Sequence, residues 1–187
     1  MKTVPVNAER LYQVEIGVDW KVALTDWVEG RQKIVVITSE KFPVKTDYPT
    51  IEITDGESGK SPESLNAVWN RLGELGITRG DLIIAIGGGA LTDIAGFAAA
   101  TWMRGIDWIA IPSTVAGMVD AAIGGKTAIN SPYGKNLIGA FHSPIAVLID
   151  IDFIKSLDER DIAAGMAEVV KCGFIKDSAI LELLKNR

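Results

Sequence analysis

Short apolar runs alternate with longer amphipathic segments along most of the chain. In residues 61–75, apolar positions recur at spacings of three and four, and Ser61-Pro62 is a good helix entry, so we expect a helix there. Residues 91–103 are apolar almost all round, which predicts a helix buried between layers. Six runs rich in β-branched residues have the length of buried strands: Tyr12–Ile16, Lys33–Thr38, Thr50–Ile53, Leu82–Ile86, Trp108–Ile111 and Ala146–Ile149.

This alternation predicts an α/β fold, a Rossmann-like and mostly parallel sheet with flanking helices. Ligands of such sheets bind beyond the carboxyl ends of the strands. After Leu157 the pattern becomes helical, with stretches that begin at Asp158 and Asp177. We therefore expect an α/β domain over residues 1–157 and the start of an all-helical, metal-binding domain over residues 158–187. No capping glycine or closing strand follows the last helical pattern, so we expect the natural protein to continue beyond it.

Composition narrows the class of partner. Of the 187 residues, 48% are hydrophobic and 23% charged, and the net charge is -5 without basic clusters. This balance argues against nucleic acid or an anionic membrane as the main partner. One cysteine, Cys172, excludes an internal disulfide, and neither a signal peptide nor a membrane-length apolar run is evident. We expect a cytoplasmic protein.

The glycine run Gly87-Gly88-Gly89 lies between a predicted strand and a predicted helix. Glycines let a diphosphate approach the backbone, and a helix N-terminus offers unpaired N–H groups. Many such turns bind no phosphate, so a purely structural turn stays open. The usual dinucleotide fingerprint fails because its third glycine would fall on Thr92, and a Walker A loop fails because its first glycine would fall on Asp120. A nucleotide would bind through a different loop.

Two further groups of polar residues stand out. Two lysines, an arginine and an amide between residues 104 and 136 suit a phosphorylated, hydroxyl-rich substrate, although each alone could be a solvated loop charge. Glu168 and Lys171 are three residues apart on a helix and share a face. They could form a surface ion pair, but their apolar neighbours predict a largely buried helix, on which a carboxylate requires a metal or a partner.

In order and spacing, these segments resemble the 3-dehydroquinate synthase family of sugar-phosphate cyclases. The resemblance is dense over residues 55–175, with Asp55–Ser61 similar to the family's D-G-E-x-x-K loop. The chain departs from the usual pattern at Thr92, Ser113 and Ala121-Ala122. The matching segments are Gly87–Asp93, Met103–Gly105, Ile111–Thr114, Val119–Thr127, Gly134–Phe141 and Ala167–Lys171.

The resemblance implies a catalytic NAD and a divalent metal, zinc or cobalt. It implies Glu168 as one metal ligand, with two histidine ligands outside this chain, and it matches His142 to no ligand position. The residues implied to contact substrate are Arg104, Asp120, Lys126, Lys135, Asn136 and Lys171. The residues implied to bind NAD are Ser39, Asp55, Gly56, Glu57, Lys60, Gly88, Gly89, Ala90, Leu91, Thr92, Asp93, Ser113, Thr114, Lys126, Lys135, Phe153, Ile154, Lys155 and Ser156.

The implied reaction converts 3-deoxy-D-arabino-heptulosonate 7-phosphate to 3-dehydroquinate and phosphate, and it regenerates the NAD. Full-length members are implied to be homodimers, and this chain alone is expected to be inactive because its metal site is incomplete. Two alternatives stay open at this stage. One is another cyclase, of the valiolone or deoxy-inosose type, and the other is an NAD-dependent metal polyol dehydrogenase or a nucleotide-binding relative without turnover.

Overall fold

A seven-stranded sheet forms the centre of the molecule, with the strand order β1-β2-β9-β6-β5-β3-β4. All neighbouring strands pair in parallel except β1, which pairs antiparallel with β2 at one edge. The computed structural model describes residues 1–185. Its strands are β1 (Lys2–Asn7), β2 (Leu11–Ile16), β3 (Ile34–Ser39), β4 (Thr50–Ile53), β5 (Leu82–Gly87), β6 (Asp107–Pro112), β7 (Lys126–Ser131), β8 (Gly134–Phe141) and β9 (Ala146–Ile149).

Helices cover both faces of this sheet. Along β3, Val35 and Ile37 belong to one apolar cluster and Ile34 and Val36 to the other, because successive strand residues point to opposite faces. The first cluster includes α2 and α3 residues and the second includes α1 residues. The helices are α1 (Trp20–Val28), α2 (Pro62–Glu74), α3 (Gly89–Thr101), α4 (Glu159–Ile175) and α5 (Ala179–Lys185). Short helices of one or two turns span Gly56–Gly59, Trp102–Arg104, Gly117–Ala121 and Ile151–Ser156.

The predicted Rossmann-like fold is confirmed, and all six predicted strands are present. The helix predicted from Ser61 begins as expected, since the Ser61 side chain accepts a hydrogen bond from Ser64 N and Pro62 follows at the first turn. The predicted helix 91–103 is instead Gly89–Thr101. It ends earlier because Met103 and Arg104 have φ values of 49° and 69°, which no α-helix accommodates.

Three elements were not predicted: strand β1, helix α1 and the β7–β8 hairpin. The hairpin forms a separate two-stranded sheet that packs on α3. A Cβ atom on Gly96 of α3 would lie 2.5 Å from Thr127 Cγ2, so this glycine lets β7 approach the helix closely. The hairpin therefore packs against the α/β layers, although none of the predicted strands covers it.

The strand order places a topological switch at β3. The chain passes from β3 to β4 on one side and then returns to β5 on the other side of β3. Crevices at such switch points, beyond the carboxyl ends of the strands, are where open α/β sheets bind ligands. The fold therefore directs attention to the space beyond Ser39 and Gly87.

Helices α4 and α5 follow the sheet. Residues 186 and 187 of the predicted helical region, 158–187, lie outside the described residues. Within residues 1–185, no helix combines the length and apolarity that a membrane span requires.

Candidate functional site

The glycine turn beyond β5 presents bare backbone to the crevice. Gly88 caps α3 without any side-chain hydrogen bond, and the first turn of a helix leaves N–H groups unpaired. A Cβ atom on Gly89 would lie 2.9 Å from Ala121 Cβ, and one on Gly88 would lie 3.3 Å from Thr114 Cγ2. Side chains would fill this cradle, so glycine is required, and the cradle fits a diphosphate at a helix N-terminus.

A nearly inaccessible lysine joins three of the candidate segments. Lys60 is 3% exposed, and its Nζ atom donates to Asp93 Oδ2 at 2.5 Å and also to Asn136 Oδ1. Burial raises the pKa of Asp93 above its usual value of 3.8, because desolvation outweighs the favourable bond from Lys60. A hydroxyl donor bound beside this carboxylate would favour its ionised form. A ribose offers such hydroxyl donors.

The hairpin is tied to the Gly56–Gly59 turn by a further residue, Asn130. Its Nδ2 atom donates to Glu57 Oε1 at 2.8 Å, and its Oδ1 atom accepts from Asn136 N at 3.0 Å. Lys135 Nζ lies 4.0 Å from the same Glu57 oxygen. Asn130 was not among the sequence candidates, because its role depends on the hairpin, which was not predicted.

A second charged group lies where the Gly117–Ala121 turn meets α4. Asp120 Oδ1 is 3.1 Å from Lys126 Nζ and 3.7 Å from Lys171 Nζ. Gly165 lets α4 approach the segment just before this turn, since a Cβ atom on it would lie 2.5 Å from Val115 Cβ.

Both groups border one cavity of about 450 Å³ beneath the hairpin. The cavity has the volume of a small-molecule site. Its lining residues are Asp93, Asp120, Ala121, Lys126, Thr127, Ala128, Asn136, Leu137, Gly139, Ala140 and Phe141. The structure thus brings residues implied for cofactor and for substrate to the same space.

The remaining NAD candidates follow the carboxyl ends of neighbouring strands. Ser39 ends β3 and Ser113 follows β6, and both are buried. Leu91 and Thr92 turn their side chains into the protein, at 5% and 1% exposure, and would offer only backbone. Asp55, Gly56 and Ala90 lie in the turns beyond β4 and β5, and Phe153, Ile154, Lys155 and Ser156 lie in the turn beyond β9. Lys155 is exposed and paired with Asp152 at 2.7 Å.

Glu168 fits the role of one metal ligand. Its Oε2 atom is buried and has no partner with hydrogen-bond geometry, although Lys171 forms an ion pair with it. Along residues 1–185 no group of three His, Cys, Asp or Glu side chains could hold a metal. His142 lies apart, with its Nε2 atom 2.9 Å from Ile106 O.

The expectation of a largely buried helix around Glu168 is wrong. The side chains of Glu168 and Lys171 are 33% and 46% exposed, and only glycines of α4 are buried. The physical reason is that α4 packs mainly on α5 and the Gly117–Ala121 turn. The surface ion pair was the other interpretation, and it is present; pairing with Glu168, assisted by Asp120, raises the pKa of Lys171.

Arg104 is not brought to the cavity. It follows the C-terminus of α3, whereas Asp93 lies in the first turns of that helix, and thirteen residues of α-helix span about 20 Å. Arg104 therefore lies near the amino edge of the sheet, and the grouping with Asp120, Lys126 and Asn136 does not hold within one copy of this chain.

Comparisons with known proteins agree with this arrangement. A family model described as 3-dehydroquinate synthase N-terminal matches residues 50–164. A 3-dehydroquinate synthase from Cutibacterium acnes is 49% identical over 192 residues, which cover 100% of this chain and 53% of that protein.

Two solved cyclases share the fold, with sequence identities of 30% and 26% to this chain. The 2-epi-5-epi-valiolone synthase of Streptomyces hygroscopicus with NAD+ and Zn2+ bound has a TM-score of 0.83 at 30% identity, covering 98% of this chain and 55% of its own. A 2-deoxy-scyllo-inosose synthase complexed with carbaglucose-6-phosphate, NAD+ and Co2+ has a TM-score of 0.82 at 26% identity, covering 91% and 50%. The chain spans about half the length of the curated relatives it matches. With the family model matched over residues 50–164, more than half of the chain, this protein belongs to the 3-dehydroquinate synthase family.

Proposed function

We propose that this chain is the NAD-binding part of a 3-dehydroquinate synthase, a lyase that converts 3-deoxy-D-arabino-heptulosonate 7-phosphate to 3-dehydroquinate and phosphate. The observation that carries the proposal is the hydrogen-bonded set Lys60, Asp93 and Asn136. It joins the glycine turn, the Gly56–Gly59 turn and the hairpin around one cavity. A polyol dehydrogenase relative is disfavoured by the family match and by the synthase relatives.

NAD and a divalent metal are the proposed cofactors, as in the solved valiolone and inosose synthases. The Gly88–Gly89 cradle would hold the diphosphate, and Asp93 and Glu57 would accept hydrogen bonds from ribose hydroxyls. Glu168 would be one metal ligand, as the family resemblance implies, and its Oε2 atom is buried and paired with Lys171. When bound, NAD supplies a transient two-electron oxidation and the metal a Lewis acid, for which we propose zinc.

The side chains around the cavity would bind and orient the substrate. Lys126 and Lys171 present ammonium groups suited to phosphate and carboxylate oxygens. Asp120 contacts both lysines and fixes where their charges lie. Asn136 offers its amide group to a substrate hydroxyl while its oxygen accepts from Lys60. We further propose that the full-length protein is cytoplasmic, in keeping with the single cysteine of this chain, and homodimeric, as the family resemblance implies.

The test compares this chain with a chimera in which it is followed by the remaining part of the Cutibacterium acnes relative. We expect NAD-dependent phosphate release from the heptulosonate phosphate by the chimera. We expect none from the 187-residue chain, because its described residues supply one metal ligand where a catalytic zinc takes three.

Other activities would be visible in the same assay. Phosphate release from glucose 6-phosphate, but not from the heptulosonate phosphate, would assign the chain to the inosose type of cyclase. Net NADH formation from a simple polyol, without phosphate, would indicate a dehydrogenase. Either result from a folded chimera would contradict the proposed synthase.

A further inference from the structure

Asn130 lies between three candidate residues without lining the cavity itself. Its backbone N–H donates to Lys60 O at 2.8 Å, and its side chain contacts Glu57 and the backbone of Asn136. These partners belong to the Gly56–Gly59 turn and to β8, on either side of β7. One amide therefore joins the segment proposed to hold the NAD ribose to the segment proposed to contact substrate.

We propose that Asn130 is a positioning residue, which holds Glu57 in place for NAD and links that position to the hairpin that carries Asn136. The inference rests on the proposed NAD site and adds a residue to it.

The chemistry of the contact explains why an amide is needed. Glu57 requires a donor at this point, and the Asn136 N–H requires an acceptor. An asparagine side chain offers both at once, from two separate atoms. Asn136 also has a φ of 57°, a left-handed conformation that asparagine tolerates better than most residues, and the bond to Asn130 fixes it.

Glu57 has both acidic and basic neighbours. If the hydrogen bond from Asn130 is lost, Lys135 is a poor substitute as a partner for the Glu57 carboxylate. Its side chain is 42% exposed, and Lys135 Nζ is 4.0 Å away. A lysine that is itself 75% exposed cannot hold the carboxylate in one rotamer. The other charged groups on the adjoining segments are Asp55 and Lys60 on the turn, Asp93 on α3 and Lys126 on β7.

Two variants of the 187-residue chain separate positioning from general stability. Asn130→Ala removes both contacts, and we expect NAD affinity in titration calorimetry to fall about 10-fold. Asn130→Asp keeps the acceptor for Asn136 N–H but places a second carboxylate against Glu57. Asn66→Ala, an exposed asparagine on α2, is the matched control and should bind NAD like the wild type.

The pH profile of Asn130→Asp is the decisive readout. At pH 8 the two carboxylates repel each other, so NAD should bind more weakly than to Asn130→Ala. Lowering the pH relieves this repulsion, so the NAD affinity of Asn130→Asp should rise relative to that of Asn130→Ala as the pH falls. Asn130→Ala should show no such recovery, and a role limited to stability would give no pH-dependent rescue.

Hydrogen exchange of the segment 126–141, measured without NAD, tests the link to the hairpin separately. We expect faster exchange in Asn130→Ala and unchanged exchange in Asn66→Ala. Wild-type affinity in Asn130→Ala, or no pH recovery in Asn130→Asp, would overturn the positioning role. If the wild-type chain itself does not bind NAD, the proposed cofactor site is wrong. Unchanged hydrogen exchange in Asn130→Ala would independently contradict the link to the hairpin.

Discussion

Two carboxylates at opposite edges of the same sheet are held in different ways. At the amino edge, one oxygen of Asp107 accepts a hydrogen bond from Arg10 at 3.0 Å, and the other accepts one from Arg31 at 2.7 Å. Burial alone would raise the pKa of Asp107, but the bonds from Arg31 and Arg10 outweigh it and lower that pKa. At the carboxyl edge, Asp93 accepts a hydrogen bond from Lys60, but burial outweighs that bond and raises the pKa of Asp93.

The difference separates a structural site from a ligand site. Both oxygens of Asp107 are occupied by the fold, and its two arginines tie β6 to the segments before β2 and β3. The Asp93 carboxylate faces a cavity and retains capacity to accept further hydrogen bonds. Perturbed carboxyl groups in cavities are functional candidates, whereas a fully paired carboxylate at an edge stabilises the fold.

The largest expected effect comes from removing the cation at each edge. Lys60→Met leaves a carboxylate that is 18% exposed without its partner, so we expect a loss of about 3 to 5 kcal/mol in the free energy of unfolding. Arg10→Met should cost about 1 kcal/mol or less, since that pair is one-third exposed and Arg31 remains. Urea denaturation measures both, and equal losses would contradict the distinction.

A smaller effect separates substrate from cofactor within the carboxyl edge. Lys126 is 52% exposed at the cavity, whereas Lys60 is enclosed. In the chimera proposed above, Lys126→Ala should raise the KM for the heptulosonate phosphate by a factor that corresponds to about 1.5 to 3 kcal/mol, the cost of losing a charge-assisted hydrogen bond. NAD affinity should stay nearly unchanged. A variant that loses NAD affinity and keeps its KM would assign Lys126 to the cofactor instead.

The smallest expected effect is in the pH dependence of stability. The folded pKa of Asp107 is below 3.8, so its contribution is present above that pH and is lost as pH falls through the folded value. Asp107→Asn should therefore lower stability at pH 7 by less than about 1 kcal/mol, and this loss should shrink as the pH falls below 3.8.

Asp93 should behave with the opposite sign. Its raised pKa means that its contribution is present below 3.8 and is lost as pH rises through the folded value. The difference between Asp93→Asn and wild type should therefore change with pH in the opposite direction to that of Asp107→Asn. Parallel pH profiles for the two variants would show that the two carboxylates are not held differently.

The sheet could be predicted because parallel strands, covered on both faces, are nearly continuous apolar runs. Strand β1 could not be predicted in this way, because it is an edge strand with Pro5 and mostly exposed residues. Helix α1 could not be predicted because only Trp20 and Leu24 are buried, which leaves a narrow apolar stripe. The hairpin could not be predicted because most residues of β8 are exposed.

The site was predictable in its segments but not in its contacts. The glycine run and the family resemblance identified the segments that carry Lys60, Asp93 and Asn136, and the strand order explains why they meet. Spacing could not show that Asn130 joins two of them, because that contact depends on tertiary packing of the hairpin. It also could not show that thirteen helical residues separate Arg104 from the cavity edge of the sheet.

The central claim is that the carboxyl edge binds NAD and the amino edge does not. Titration calorimetry of the 187-residue chain with NAD tests it directly, together with Asp93→Ala and Asp107→Ala. We predict measurable binding by the wild type, a loss of about 1 to 3 kcal/mol in Asp93→Ala, and little change in Asp107→Ala. Absence of heat at millimolar NAD, or equal losses in the two variants, would contradict the account.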